Sequence, residues 1–582
     1  MTTNRDIAAR LEEMARYYEM FDVAWRPAAY DRAVESVAGF GTEAAALFAE
    51  GGRKALRCIP HVGPAIAEHV EEILKRGTFA ELERYRRRVP VDLAGLTAVE
   101  GIGPKTVLAL YRRLKITNVE QLERAARLGR IAKIPHFGKK AQANILATVK
   151  RRRHGSDRRI LGYVLPLAER LIAAAERVPG VKRAMAAGSV RRRQETIGDL
   201  DILVAAEKPT KVMDALASLP DVSNVIERGD TLLSFRLKDG LRADFRVVPP
   251  AVWGAALQHF TGSKEHNVEI RKRAAAKGLK LNEYGLWRGK RHLAAATEED
   301  VYRALGLGYI EPEIRTASGE LEAAERGRLP RLIRYDEVRG DLQVQTDWTD
   351  GTASIEAMAE AAMALGREYI AVTDHTKALG MTGGLDEAEL ARQARAINKL
   401  NAKYATARKK FRLLKGAETN ILKDGSIDIN DAALAELDFV GASVHTAFKL
   451  PRAEQTTRII KAMRNPNVDC IFHPTGRVIN ARDPYDLDME AVLKAAKATG
   501  TAMEINAFPD RSDLRDVHVR LAVKLGVKLL IDTDAHAPEH LRYLDLGTAI
   551  ARRGWTTSRD ILNTRPLASL KKWLATPKGK RG

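Results

Sequence analysis

The chain has 582 residues, too many for one hydrophobic core and enough for roughly three to five domains. Lys and Arg number 96 against 75 Asp and Glu, a formal charge of +21, so the field around the protein attracts polyanions, nucleic acid first among them. Two distant cysteines, Cys58 and Cys470, exclude a disulfide framework, and no apolar run reaches membrane-spanning length. The expectation is a soluble, monomeric, cytoplasmic and nucleoid-associated protein without a membrane partner.

In chain order, residues 1–150 carry apolar residues at helical spacing and predict helices throughout. One element recurs there: 59-IPHVGPAIAEHVEEIL-74, 99-VEGIGPKTVLALYRRL-114 and 134-IPHFGKKAQANILATV-149. Each copy resembles the helix-hairpin-helix, whose Gly turn offers backbone N–H groups at a helix N-terminus to a DNA phosphate, whatever the bases. Gly63, Gly101, Gly103, Lys105, Gly138 and Lys139 are thus candidate DNA contacts. Only the middle copy has G-I-G, since His61 and His136 take the first Gly position elsewhere. The plain alternative is a glycine that closes a turn between packed helices.

Between about 155 and 250 the pattern turns to mixed α/β, with a helix at 163–178 and strands at 200–206, 231–237 and 243–249. Within 188-GSVRRRQETIGDLDILV-204, strand alternation aims Asp199 and Asp201 the same way and Leu200 and Ile202 the other. Asp244 joins them from a later strand. Like charges this close call for a cation between them, and three hard oxygen ligands suit two Mg²⁺ or Mn²⁺ ions of the kind that drive in-line phosphoryl displacement. The Gly188-Ser189 turn would cradle a triphosphate and Arg192 would neutralise it. A D-x-D alone is commonly a solvated strand end; with the Gly-Ser turn and a third Asp it points to nucleotidyl transfer.

Residues 251–318 predict helices with short strands, and 319–338 is a charged linker. From 339 to 575 short apolar strands alternate with helices, and an α/β barrel follows, with functional residues at the strand C-termini. Several of these strands end in His or Asp, as the lining of a metal site would. The first, 340-GDLQVQTDWTDG-351, instead aims Gln343 and Gln345 at that point, and Gln is a poor metal ligand. The tail 576-TPKGKRG-582 is expected to be a disordered basic end.

Over nearly its whole length the chain resembles the bacterial family X DNA polymerases, relatives of DNA polymerase beta with a C-terminal PHP (polymerase and histidinol phosphatase) domain. The resemblance implies a DNA-end-binding helical domain at 1–90, a fingers-like helical subdomain at 91–150, a palm at 151–250, a nucleotide-enclosing subdomain at 251–318, the linker, and a PHP domain at 339–575. It implies Asp199, Asp201 and Asp244 as metal ligands, Gly188, Ser189 and Arg192 on the triphosphate, and Phe260, Gly262, Asn267 and Arg271 around the nucleotide. Gapped or nicked DNA with a primer 3′-hydroxyl, and dNTPs, are the implied substrates. His259 stands where the family often has Tyr, which puts ribonucleotide exclusion in question, and His69 stands where relatives with deoxyribose-phosphate lyase activity have a Schiff-base Lys. In the PHP domain the resemblance implies Zn²⁺ or Mn²⁺ held by Asp350, His375, Glu418, His445, His473, Asp534 and His536. The family's H-x-H is lost at Gln343 and Gln345, so 3′-5′ exonuclease activity is expected to be much reduced or absent. The alternatives are an untemplated nucleotidyltransferase, a phosphoesterase acting mainly through the PHP domain, and a non-catalytic DNA-end-bridging scaffold.

Overall fold

A computed structural model describes residues 4–581 apart from 39, 41–42, 98, 100–101, 135–137, 139–141, 143–144 and 146–157. The chain divides into two compact units, Met1–Asp157 and Arg158–Gly582. Among the described residues no helix is long and apolar enough to cross a membrane.

The first unit is helical. On its opening helix, Asn4–Met20, the residues Ile7, Leu11, Met14 and Tyr18 recur at helical spacing, and all four are buried against the helices that follow. Helices Pro64–Arg76 and Pro104–Leu114 both begin with Pro at a position whose N–H would have no intrahelical partner, directly after Gly63 and Gly103.

The second unit opens with a short pair, β1 (Arg159–Ile160) and β3 (Thr196–Ile197), beside a five-stranded mixed sheet. That sheet holds β2 (Val181–Ala186), β4 (Asp199–Ala206), β5 (Val222–Arg228), β6 (Leu232–Leu237) and β7 (Arg242–Val248), in the order β2-β4-β7-β6-β5. Strands β2 and β5 were not predicted. Both are edges: β2 alternates weakly, and β5 leaves Val225 and Ile226 exposed. One face of the sheet buries Leu200, Ile202, Phe245 and Val247 under helix Leu161–Glu176. On the other face Asp199 and Asp201 share their side with Leu203 and Ala205, which pack against Trp253 and Leu257 of helix Trp253–Thr261.

Helices Lys264–Ala276 and Glu298–Ala304 and a small antiparallel sheet of β8 (Lys280–Asn282), β9 (Gly285–Arg288) and β10 (Arg291–Ala294) complete this region. The segment 319–338, expected as a linker, is packed. Glu320 is buried and accepts hydrogen bonds from the backbone of Ala317 and Ser318, with His266 Nδ1 at 2.8 Å. Leu321 and Leu332 join the neighbouring core, and Ile333 and Val338 join the barrel core. The high charge of the segment hid these anchors.

Seven parallel strands then follow in sequence order: β11 (Gly340–Val344), β12 (Tyr369–Val372), β13 (Arg412–Asn420), β14 (Phe439–Ser443), β15 (Cys470–Ile471), β16 (Ala502–Asn506) and β17 (Leu529–Asp532). A bridge between Val344 and Ala535, with Gln345 N donating to Ala535 O at 2.8 Å, nearly closes them into a barrel. The tail is docked rather than free. Lys578 Nζ donates to the carbonyls of Met463 and Asn465 past a helix C-terminus, and Arg581 pairs with Asp469 at 2.7 Å.

Candidate active site and nucleic-acid contacts

Strands β4 and β7 run parallel in a register that makes Asp201 and Asp244 direct partners. Asp199 lies two residues along the same face, and the three carboxylates offer oxygens within 4.8 Å of one another. Burial, and then the charges of Asp199 and Asp244, push the Asp201 carboxyl up to about 7. Arg242 Nε donates to Asp244 at 2.8 Å, and the Ser234 hydroxyl donates to the same oxygen. A hard divalent cation fits this donor set, which holds more negative charge than its own arginines offset.

Gly188 and Ser189 open a four-residue helix beside β4. Gly188 has φ +53°, and a Cβ there would lie 1.9 Å from Asp201 Oδ2, so only glycine lets the turn reach the carboxylates. A cavity of about 390 Å³ is lined by Gly188, Ser189, Arg192, Asp199, Asp201, His259, Phe260, Gly262 and Asn267, which gathers the predicted residues except Asp244 and Arg271; Asp244 lines a second cavity that shares Asp201 and Phe260 with the first. Arg158 and Lys264 also line the first cavity and were not singled out: Arg158 lies outside any motif, and Lys264 sits inside the stretch 259-HFTGSKEHNVEIR-271 between the named Gly262 and Asn267. Arg192 donates to the Thr261 carbonyl at the rim. Asn267 accepts from Gln258 at 2.8 Å and donates to the His259 carbonyl at 2.6 Å, which fixes its amide. Arg271, one turn further along that helix, is exposed outside the cavity lining and donates to Asn267 O.

In the first unit, Gly63 and Gly103 have negative φ, and a Cβ on either would meet nothing within 4 Å. Among the described residues nothing crowds these two helix N-termini, which leaves room for a partner to approach the backbone there. A Cβ on Gly138 likewise meets nothing, while Gly101 and Lys139 lie outside the described residues. Lys105 is exposed and pairs with Asp22 at 2.7 Å. His69 is stacked on Phe79 and hydrogen-bonded to Tyr30 at 2.7 Å, with burial lowering its pKa.

At the C-terminal mouth of the barrel, Glu418 on β13 is fully buried. Its Oε1 lies 2.9 Å from His473 Nε2 and 3.1 Å from His445 Nε2 and accepts from Ser443 Oγ. Its Oε2 accepts from Gln343 Nε2 at 3.1 Å and Gln345 Nε2 at 2.8 Å. Burial opposes ionisation of Glu418, but His375, His445 and His473 hold its carboxyl well below the usual carboxylate range. Asp534 accepts from Arg511 Nε at 3.1 Å and Asn506 Nδ2 at 3.3 Å. Neither Arg511 nor Asn506 was singled out in the sequence. Two ligand-like groupings remain, Asp350–His375–His536 and His375–Glu418–His445. The buried His375 Nδ1 and Gln345 Oε1 find no hydrogen-bond partner among the described residues. The imidazole side thus fits a metal ion, whereas amide N–H groups and a guanidinium already take up the carboxylates on the β11 side.

Family models match the chain as a helix-hairpin-helix domain over residues 2–79, a SAM-like helix-hairpin-helix tandem over 93–151, a DNA polymerase beta thumb over 256–316 and a PHP domain over 341–508. The chain is 36% identical over 519 residues to the DNA polymerase/3′-5′ exonuclease PolX of Bacillus subtilis, a match spanning 88% of this chain and 90% of that protein. It is 26% identical over 352 residues to the DNA polymerase lambda of Arabidopsis thaliana, 54% of this chain and 62% of that one. A probable phosphatase of Caldicellulosiruptor saccharolyticus is 37% identical over 132 residues, 21% of this chain and 53% of its own length.

Proposed function

Since the chain belongs to the bacterial family X DNA polymerases of the PolX type, with helix-hairpin-helix, thumb and PHP domains, we propose that it fills short gaps during DNA repair in the cytoplasm, as a monomer. Its substrates in this reading are gapped or nicked DNA with a primer 3′-hydroxyl, and dNTPs. The observation that carries it is the register pairing of Asp201 with Asp244 at the edge of a cavity ringed by Ser189, Arg192 and Asn267.

Asp199, Asp201 and Asp244 would hold Mg²⁺ or Mn²⁺, which when bound supplies charge for activating the 3′-hydroxyl and stabilising the departing pyrophosphate. The remaining work falls to the chain itself. The Gly188-Ser189 turn presents donors to the triphosphate, and the Arg192 and Arg158 guanidiniums offset its charge. Phe260 and Gly262 wall the sugar, Asn267 meets the nucleotide, and Arg271 faces the template side. His259, which lines the cavity, stands beside Phe260 on the sugar side, with its carbonyl already taken by the Asn267 amide. The glycine turns at Gly63 and Gly103 take DNA phosphates without reading bases. His69 has no amine for an imine, so deoxyribose-phosphate lyase chemistry is weak or absent.

In the PHP domain, Gln343, Gln345, Asn506 and Arg511 satisfy the acids on one side of the site. At most the imidazole side takes Zn²⁺ or Mn²⁺, and 3′-5′ exonuclease activity is much reduced. The test is extension of a primer across a short gap with Mg²⁺ or Mn²⁺, with and without a template and a 5′-phosphate. Templated extension is the expected result, and equal untemplated addition would instead favour a terminal transferase.

A further inference from the structure

The turn that carries Ser189 and Arg192 is gripped from two sides. On one side Arg191 donates to Glu298 at 2.9 and 2.5 Å and to Thr261 Oγ1 at 2.6 Å, tying the turn to the thumb. On the other side the grip comes from the PHP domain. Arg477 forms a two-pronged pair with Glu195, Nη1 to Oε2 at 3.0 Å and Nη2 to Oε1 at 2.8 Å, and both side chains are largely buried. Arg477 is itself fixed by donating to the Arg511 and Ser512 carbonyls. Arg553, the last residue of helix Leu544–Arg553, lies 3.5 Å from Glu195 and donates to the carbonyl of Arg193. Within the turn, Gln194 N donates to Ser189 O at 3.0 Å and Leu161 N to Glu195 O at 3.0 Å, so Glu195 is joined to Ser189 through a closed stretch of backbone.

We propose that the PHP domain braces the nucleotide pocket, with Arg477 and Arg553 as positioning residues that set Ser189 and Arg192 through Glu195 and the Arg193 carbonyl. A planar guanidinium meeting a carboxylate edge-on fixes orientation as well as distance, and Lys could not reproduce this. Ser189 and Arg192 would hold the triphosphate alike before and during the reaction, so displacing them weakens dNTP binding first. The PHP domain therefore serves polymerisation structurally, whatever its own metal site does. Arg477 follows His473 by four residues and donates to the carbonyl of Arg511, which pairs with Asp534, so the brace also touches the histidine-lined pocket.

This inference rests on the assignment of Ser189 and Arg192 to the triphosphate. The experiment is single-nucleotide gap filling by the full chain, measuring KM for dNTP, kcat and affinity for gapped DNA, on Arg477→Ala, Glu195→Gln and the double variant, with Arg192→Ala alongside. Each single variant should raise KM for dNTP about tenfold while kcat stays within about threefold, and the double variant should match the singles rather than multiply them. Glu195→Gln keeps the side-chain shape, and its unfolding temperature reports whether the fold is intact. An unchanged KM in both singles, a multiplicative double variant, or a parallel fall of kcat, DNA affinity and unfolding temperature would each overturn the brace. If Arg192→Ala raises KM while the brace variants do not, the triphosphate assignment stands and the brace alone fails. If Arg192→Ala leaves KM unchanged, the assignment fails and takes the brace with it.

Discussion

The palm and the barrel each gather acids that a metal ion could join, and they handle the charge in opposite ways. In the palm, Asp201 faces Asp199 and Asp244, and its carboxyl is pushed up by burial first and by those neighbours second. In the barrel, Glu418 is ringed by three imidazoles and two amides, and Asp534 has Arg511 and Asn506. One cluster is unsatisfied without an outside cation; the other supplies much of its own compensation. Acids at a strand end are therefore not equivalent evidence for a metal, because the groups that face them decide.

The contrast predicts opposite signs for two isosteric changes. Asp201→Asn removes one of three repelling charges, so the metal-free protein should gain a few degrees in unfolding temperature while gap filling falls by about a thousandfold. Gapped-DNA binding should stay near wild type, and near wild-type extension by this variant would remove the palm assignment. Glu418→Gln removes the buried carboxylate that accepts from Gln343, Gln345 and Ser443 and faces His473 Nε2, leaves those polar groups partly unpaired, and should cost about 1–3 kcal/mol of stability. Stabilisation by Glu418→Gln, read by denaturant unfolding, would show that the barrel is as unsatisfied as the palm.

Much of the palm was legible because its chemistry is local: Asp199 and Asp201 share a face by alternation alone, and Gly188-Ser189 stands in the same stretch. The barrel's His and Asp positions could be picked out for the same reason, each just past a strand end, with Asp534 and His536 sharing the last. What could not be read was compensation from afar. Arg477 meets Glu195 across 282 positions, and nothing in the stretch TGRVINARD marks Arg477 as a palm contact. Arg511 and Asn506 looked like ordinary loop and strand residues until folding placed them on Asp534. That the connecting segment 319–338 packs against its neighbours, and that the tail docks, could not be read because average charge says nothing about a few anchoring side chains such as Leu332, Glu320 or Lys578.

Smaller effects sharpen the comparison further. Gly103→Val places a branched side chain where a Cβ meets nothing in the chain, so stability should hold. Affinity for gapped DNA should fall about tenfold, equal to about 1.4 kcal/mol, if a phosphate approaches that turn. Titration of labelled gapped DNA checks this, and unaltered affinity would reduce the turn to a helix connection. The smallest effect is expected in the barrel: with Mn²⁺, degradation of a labelled 3′ end should differ within about twofold between wild type and His473→Ala. A gain in Gln343→His/Gln345→His would identify the two glutamines as the lesion, whereas robust wild-type digestion lost in His473→Ala would reverse the assignment.

The neighbouring residues Arg552 and Arg553 end one barrel helix, where cations are favoured by the exposed carbonyls. Arg552 donates to Glu313 at 2.8 Å beyond the nucleotide pocket, while Arg553 reaches the palm at Glu195 and the Arg193 carbonyl. A single turn of helix is thus shared by three domains, and none of them can melt without stripping buried charge from another. Calorimetry should therefore show residues 158–582 unfolding in one cooperative transition, with the barrel inseparable from the polymerase it follows in the chain.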